Sequence, residues 1–142
     1  MEYQAKLKGV HILLVEDNAI NREVVLDLLS QEGITVAVAI NGRQALDLLS
    51  RERFDCVLMD CQMPEMDGFA ATRELRKRPE LHDLPVIALT ASAMVGDREK
   101  ALAAGMNDHI AKPIMIDEMF ATLTRWIGPR SDPSTKIATG SG

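Results

Sequence analysis

Five short apolar runs, at residues 10–15, 35–39, 56–59, 86–89 and 110–111, restrict what this chain can fold into more than any other feature. Each is too short for a globular helix and several are rich in β-branched residues, so they read as strands. The stretches between them carry helical spacing. In the first, Ile20, Val24, Val25, Leu28 and Leu29 share one face, with Gly33 as the C-terminal stop. The second follows Asn41-Gly42 and turns Ala45, Leu48 and Leu49 to one side, the third is placed at 69–77, and the fourth ends at Gly105. The fifth sets Ile116, Phe120, Leu123 and Ile127 on one stripe. Five strands alternating with five helices predict right-handed crossovers and an α/β fold with a parallel sheet covered on both faces. Such burial explains why the strands are apolar throughout rather than alternating.

A chain of 142 residues is long enough for one core, expected over 10–127, with a leader at 1–9. Pro129, Pro133 and a concentration of Ser, Thr and Gly mark 128–142 as a flexible linker or tail. The formal charge of −5 lacks the clustered cations that a duplex nucleic acid requires, so no nucleic-acid partner is expected. Residues 1–6 are polar and no apolar run is long enough to span a bilayer. The expected location is therefore cytoplasmic without direct membrane contact, and a membrane-attached parent protein is compatible with it. Cys56 and Cys61 lack zinc-knuckle or redox spacing and read as reduced thiols, Cys56 in the core and Cys61 as a small filler.

A doubly wound sheet binds ligands beyond the carboxyl ends of its strands. The residues there are Glu16-Asp17-Asn18 after the first run, Asp60-Cys61-Gln62 after the third, Thr90-Ala91-Ser92 after the fourth and Lys112-Pro113 after the fifth. If the first and third strands are neighbours, as in the order 2-1-3-4-5, the carboxylates of Glu16, Asp17 and Asp60 converge. Carboxylates so close repel unless a cation lies among them, and an all-oxygen cluster suits a hard ion such as Mg2+. Magnesium fills its octahedron with waters, one or two carboxylates and phosphate oxygens, so the cluster suits a phosphoryl group. Lys112 adds an opposing positive charge and Thr90 a hydroxyl donor.

These residues resemble the receiver domains of two-component response regulators over roughly 10–127. The segments Asp60-Cys61-Gln62-Met63-Pro64-Glu65-Met66-Asp67-Gly68 and Gly105-Met106-Asn107-Asp108-His109-Ile110-Ala111-Lys112-Pro113 are most similar to receivers of hybrid sensor histidine kinases. The resemblance implies a flavodoxin-like, doubly wound, five-stranded parallel sheet of order 2-1-3-4-5 with five helices. It implies that Asp60 is the nucleophile, taking a phosphoryl group from a phosphohistidine on a histidine kinase or histidine-phosphotransfer domain. By the same resemblance Asp17, Asp60 and the backbone carbonyl of Gln62 contact Mg2+, with Glu16 acting directly or through a metal-bound water. Lys112 and Thr90 assist the transfer, and the domain catalyses its own modification and slow hydrolysis, with Gln62 and Ser92 bordering the water's path. Thr90 then moves toward the phosphoryl group and opens space for the ring three positions before the lysine. Many relatives carry Tyr or Phe there; His109 is either that switch or a merely packed side chain. The resemblance also implies a cis Lys112-Pro113 bond and switched partner contacts, and a monomer is expected.

Three other readings compete. A flavin electron carrier shares the strand order but needs a hydroxyl- and Gly-rich loop where this chain has Glu16-Asp17-Asn18, and one Trp, one Tyr and three Phe supply few rings. A phosphatase using an aspartyl phosphate usually carries a second Asp two residues after its nucleophile, where Gln62 stands. A pseudo-receiver, an interaction module without phosphorylation, would be expected to have lost an acid or the lysine, and none is lost. Only assay separates it from an active receiver.

Overall fold

The computed structural model describes residues 9–61, 68–90, 95–111 and 114–127, except the side chains of 95–98. Strands β1 (His11–Val15), β2 (Thr35–Ala39), β3 (Cys56–Asp60), β4 (Val86–Thr90) and β5 (Asp108–Ala111) alternate with five α-helices. These are α1 (Ala19–Ser30), α2 (Gly42–Arg51), α3 (Gly68–Leu75), α4 (Val95–Ala104) and α5 (Ile116–Ile127). The sheet is parallel with order β2-β1-β3-β4-β5, the doubly wound topology expected from the sequence.

Because side chains alternate across a strand, each central strand supplies both faces of the sheet. Ile12 and Leu14 of β1, Leu58 of β3 and Ile87 and Leu89 of β4 pack with Val25 and Leu29 of α1 and Met119, Phe120 and Leu123 of α5. Leu13 and Val15, Val57 and Met59, and Val86 and Ala88 face Ala45 and Leu49 of α2, Ala71 and Leu75 of α3 and Ala101 of α4. Strands β3 and β4 are buried at every residue, which accounts for their unbroken apolar runs. Cys56 and Cys61 are buried and outside any disulfide, and burial pushes the Cys56 thiol pKa upward.

Several boundaries and faces differ from the expectation. Asp60 and Thr90 are the last residues of their strands rather than the first beyond them, and β5 begins two residues before Ile110. The third helix ends at Leu75, not Lys77. Pro79 has no N–H to give, and Lys77 and Arg78 tighten to three-residue bonds onto the Glu74 and Leu75 carbonyls before a 3-10 turn at Pro79–Leu81. On α1, Val25 and Leu29 are buried, but Ile20 is 72% and Val24 47% exposed. The five apolar residues assigned to one face span roughly half the helix circumference, wider than the sheet can cover. Ile116 is likewise 44% exposed instead of lying on the buried stripe of α5. Ile20 and Ile116 sit in first helical turns at the carboxyl edge of the sheet, and Val24 one turn further along α1.

Candidate functional site

The carboxyl edge is assembled by backbone pairing. Met59 and Asp60 of β3 stand opposite Ala88 and Leu89 of β4, and the ladder continues past Asp60 with the Cys61 N–H donating to Leu89 O at 3.1 Å. Glu16, one residue beyond β1, donates its N–H to Ala39 O at the end of β2 at 3.0 Å. Val15 of β1 pairs with Met59 of β3, so the sheet register sets Glu16 and Asp60, the next residue of each chain segment, side by side. Asp17 follows on the loop, and Asn18 then caps α1, its Oδ1 accepting from the Asn21 N–H at 3.0 Å.

Gly68, the first residue of α3, closes against this edge. Its N–H donates to Cys61 O at 3.3 Å, and its carbonyl accepts the Thr72 hydroxyl at 2.8 Å. A Cβ at this position would overlap the Asp60 carbonyl oxygen and lie 2.9 Å from Met59 Cγ, so only glycine permits the approach. Its signal in the sequence is a glycine opening a helix, a poor helix former used where backbone must come close.

Carboxylate oxygens of Glu16, Asp17 and Asp60 all lie within 4.8 Å of one another, as the neighbouring of strands one and three requires. Glu16 is fully buried and Asp60 is 4% exposed, whereas Asp17 reaches solvent. Like charges about 4 Å apart repel by up to about 4 kcal/mol at an effective dielectric near 20, and by less where solvent screens them, as at the exposed Asp17. The donor set is all oxygen, half-buried and open on the Asp17 side, which fits a small hard divalent cation.

Thr90 lies at the end of β4, 2% exposed, one register step from Asp60. His109 is within β5, with its side chain 20% exposed and its N–H donating to Asp108 Oδ1 at 2.8 Å. Among the described residues its buried Nδ1 has no hydrogen-bond partner, the Asp108 carboxylate being 3.9 Å away. Gln62, Ser92, Lys112 and Pro113 lie outside the described residues.

Two features of the site region were not legible as function in the sequence. Arg22 of α1 donates to the carbonyls of Glu16 and Asp17, and no motif pointed to it. Asp108 accepts at Oδ2 from Arg125 Nη1 at 2.9 Å and Trp126 Nε1 at 2.8 Å, latching the last turn of α5 to β5. Burial alone would raise the Asp108 pKa, but the bonds from Trp126 and the His109 N–H and the Arg125 charge outweigh it and hold the carboxyl below its ordinary range.

Comparison with known proteins agrees with this geometry. The sequence profile of the response regulator receiver domain matches residues 12–124. The polar-differentiation response regulator DivK of Brucella anthropi is 38% identical over 117 residues, covering 82% of this chain and 95% of DivK. The histidine kinase BarA of Escherichia coli is 38% identical over 128 residues, 90% of this chain but 14% of that protein. The receiver domain of the Pseudomonas aeruginosa sensor histidine kinase PA1611, whose crystal structure holds a magnesium ion in the active site cleft, superposes with a TM-score of 0.79. It is 48% identical, over 84% of this chain and 98% of that one. The receiver of the Saccharomyces cerevisiae regulator Ssk1, crystallised with the histidine phosphotransfer protein Ypd1, gives 0.79 at 28% identity, over 84% and 90% of the two chains. With the profile spanning most of its length and its acids gathered at the carboxyl edge of a 2-1-3-4-5 sheet, this chain belongs to the response regulator receiver domain family.

Proposed function

We propose that this domain accepts a phosphoryl group from a phosphohistidine onto Asp60 in a Mg2+-dependent reaction and thereby changes its partner contacts. The observation that carries this reading is the carboxylate triad, with Glu16 and Asp60 withdrawn from solvent and all three side chains within 4.8 Å. A domain gains nothing in stability by gathering three like charges unless a cation and a further ligand use them.

In this reading Glu16, Asp17, Asp60 and the Gln62 carbonyl hold Mg2+, which when bound supplies charge neutralisation for the phosphoryl oxygens. One Asp60 carboxylate oxygen attacks phosphorus as the bond from phosphorus to the donor imidazole nitrogen breaks. The electron pair of that bond leaves with the imidazole, which takes a proton from solvent. Thr90 Oγ1 donates to one phosphoryl oxygen and Lys112 pairs with another, so positioning and charge suffice without a separate general base. The receiver of Ssk1 joined to a phosphotransfer protein supports a partner of the same kind here. Exposed apolar side chains are available for it: Ile20 and Val24 of α1, and Met115 and Ile116 at the entry to α5, a helix that covers the same face of the sheet. The match to a small part of BarA supports a place within a longer hybrid kinase.

The direct test incubates the chain with a histidine-phosphotransfer domain carrying labelled phosphohistidine. Label is expected to move to this chain only with Mg2+, in an alkali-labile acyl linkage, and not to an Asp60→Asn variant. Partner binding without label transfer would favour the interaction module that is not phosphorylated.

A further inference from the structure

The acidic pair beyond β1 is held from behind by a cation of α1. Arg22 Nη1 donates to the Glu16 carbonyl oxygen at 3.2 Å and to the Asp17 carbonyl oxygen at 3.0 Å. One guanidinium nitrogen thus fixes two consecutive peptide planes. Asn18 extends the same lattice: its N–H donates to Glu16 Oε2 at 3.2 Å, and its carbonyl accepts the Arg22 N–H at 3.0 Å. From Glu16 to Asn18 every carbonyl is tied to one residue of the first helical turns, and the Glu16 N–H is tied to β2.

We propose that Arg22 is a positioning residue for the cation site, fixing the backbone from which the Glu16 and Asp17 carboxylates reach the metal and so setting its affinity. The assignment rests on the reading of this site as a Mg2+ site. Two effects of opposite sign meet at Arg22. As a charge it repels an incoming cation, so its removal would tighten binding. As a clamp it keeps the loop ordered before binding, so its removal leaves that ordering to be done by the metal. Repulsion between partly solvated charges is damped by water and salt, whereas partners that orient metal ligands are typically worth 10–100-fold in affinity. The clamp therefore decides the sign.

The test is calorimetric titration with MgCl2, alongside the melting temperature without metal, for the native chain, Arg22→Met and Val25→Ala. The first variant keeps the aliphatic stem and helix propensity while losing the donors. The second removes buried volume from the same helix without touching the loop. Arg22→Met is expected to weaken Mg2+ binding roughly 10-fold or more, while Val25→Ala lowers the melting temperature and leaves the affinity unchanged. Equal or tighter binding by Arg22→Met, or a weakening no larger than that of Val25→Ala, would overturn the assignment alone. Absence of Mg2+ binding by the native chain would instead remove the underlying reading, and this assignment with it.

Discussion

The two edges of the same sheet are built on opposite terms. At the amino edge polar side chains pair with complementary groups from neighbouring elements. Arg76 donates from Nε to Gly105 O at 2.9 Å, from Nη1 to Leu81 O at 2.7 Å and from Nη2 to Asn107 Oδ1 at 2.9 Å. Asn107 Oδ1 also accepts the Val86 N–H at 2.8 Å, and the Asn107 N–H returns a bond to Val86 O at 2.7 Å. One arginine and one asparagine thereby join α3, the 3-10 turn, β4 and the approach to β5. Nearby, His11 stacks on Phe54 at 4.6 Å and bonds Thr35 and Glu52 through its two ring nitrogens. The carboxyl edge gathers three carboxylates of one sign instead, held in place by backbone pairing, Arg22 and Gly68. The stability stored at one edge permits the repulsion at the other, which is how a fold keeps a reactive site poised.

Removing charge should therefore act in opposite directions at the two edges. The largest expected effect is at the amino edge. Arg76→Met leaves the carbonyls of Gly105 and Leu81 and the Asn107 amide short of donors, and should lower unfolding stability by about 2–4 kcal/mol in urea melts. At the carboxyl edge, Asp60→Asn relieves repulsion and should raise stability without metal by about 1–3 kcal/mol. Mg2+ should then raise the melting temperature of the native chain clearly and that of Asp60→Asn little. Loss of stability in Asp60→Asn would break the comparison.

The smallest effect concerns the Asp108 latch. Its folded pKa is depressed, so its contribution is fully present above the unfolded value of about 3.9 and is lost as pH falls through the lower folded value. Asp108→Asn should cost roughly 1 kcal/mol near neutral pH, since Arg125 is mostly exposed. That difference should vanish in acid. Trp126, the single tryptophan, reports it by fluorescence because its indole N–H is one of the donors. A difference independent of pH would refute the ionic latch.

The parallel sheet was legible because each apolar run was short and unbroken, its strand order followed from the family resemblance, and the ligand edge followed from the fold class. The site acids were legible because they terminate strands. Faces at helix starts were not: Ile20 and Ile116 keep the helical period yet lie at first turns at the sheet's edge, where they stay exposed. The segment from Gly105 to Asp108 read as one family motif, but its parts do different jobs. Gly105 takes a φ of +105° beside the Arg76 stem, Asn107 bonds Val86, and Asp108 holds α5. Sequence spacing cannot show this, because Arg76, Val86 and Arg125 come from distant parts of the chain. Arg22 escaped for a related reason, since an arginine on a helix face looks solvated until its carbonyl partners are placed.

A carboxyl edge built to bind a cation makes Asp60 a phosphoryl acceptor only when that cation is present. Intact mass after incubation with acetyl phosphate tests it most directly, with Mg2+ or with EDTA, on the native chain and on Asp60→Asn. A single phosphoryl adduct is expected on the native chain with Mg2+, and none with EDTA or in the variant. An adduct of equal yield in EDTA or in Asp60→Asn, or no adduct on the native chain under any condition, would contradict it.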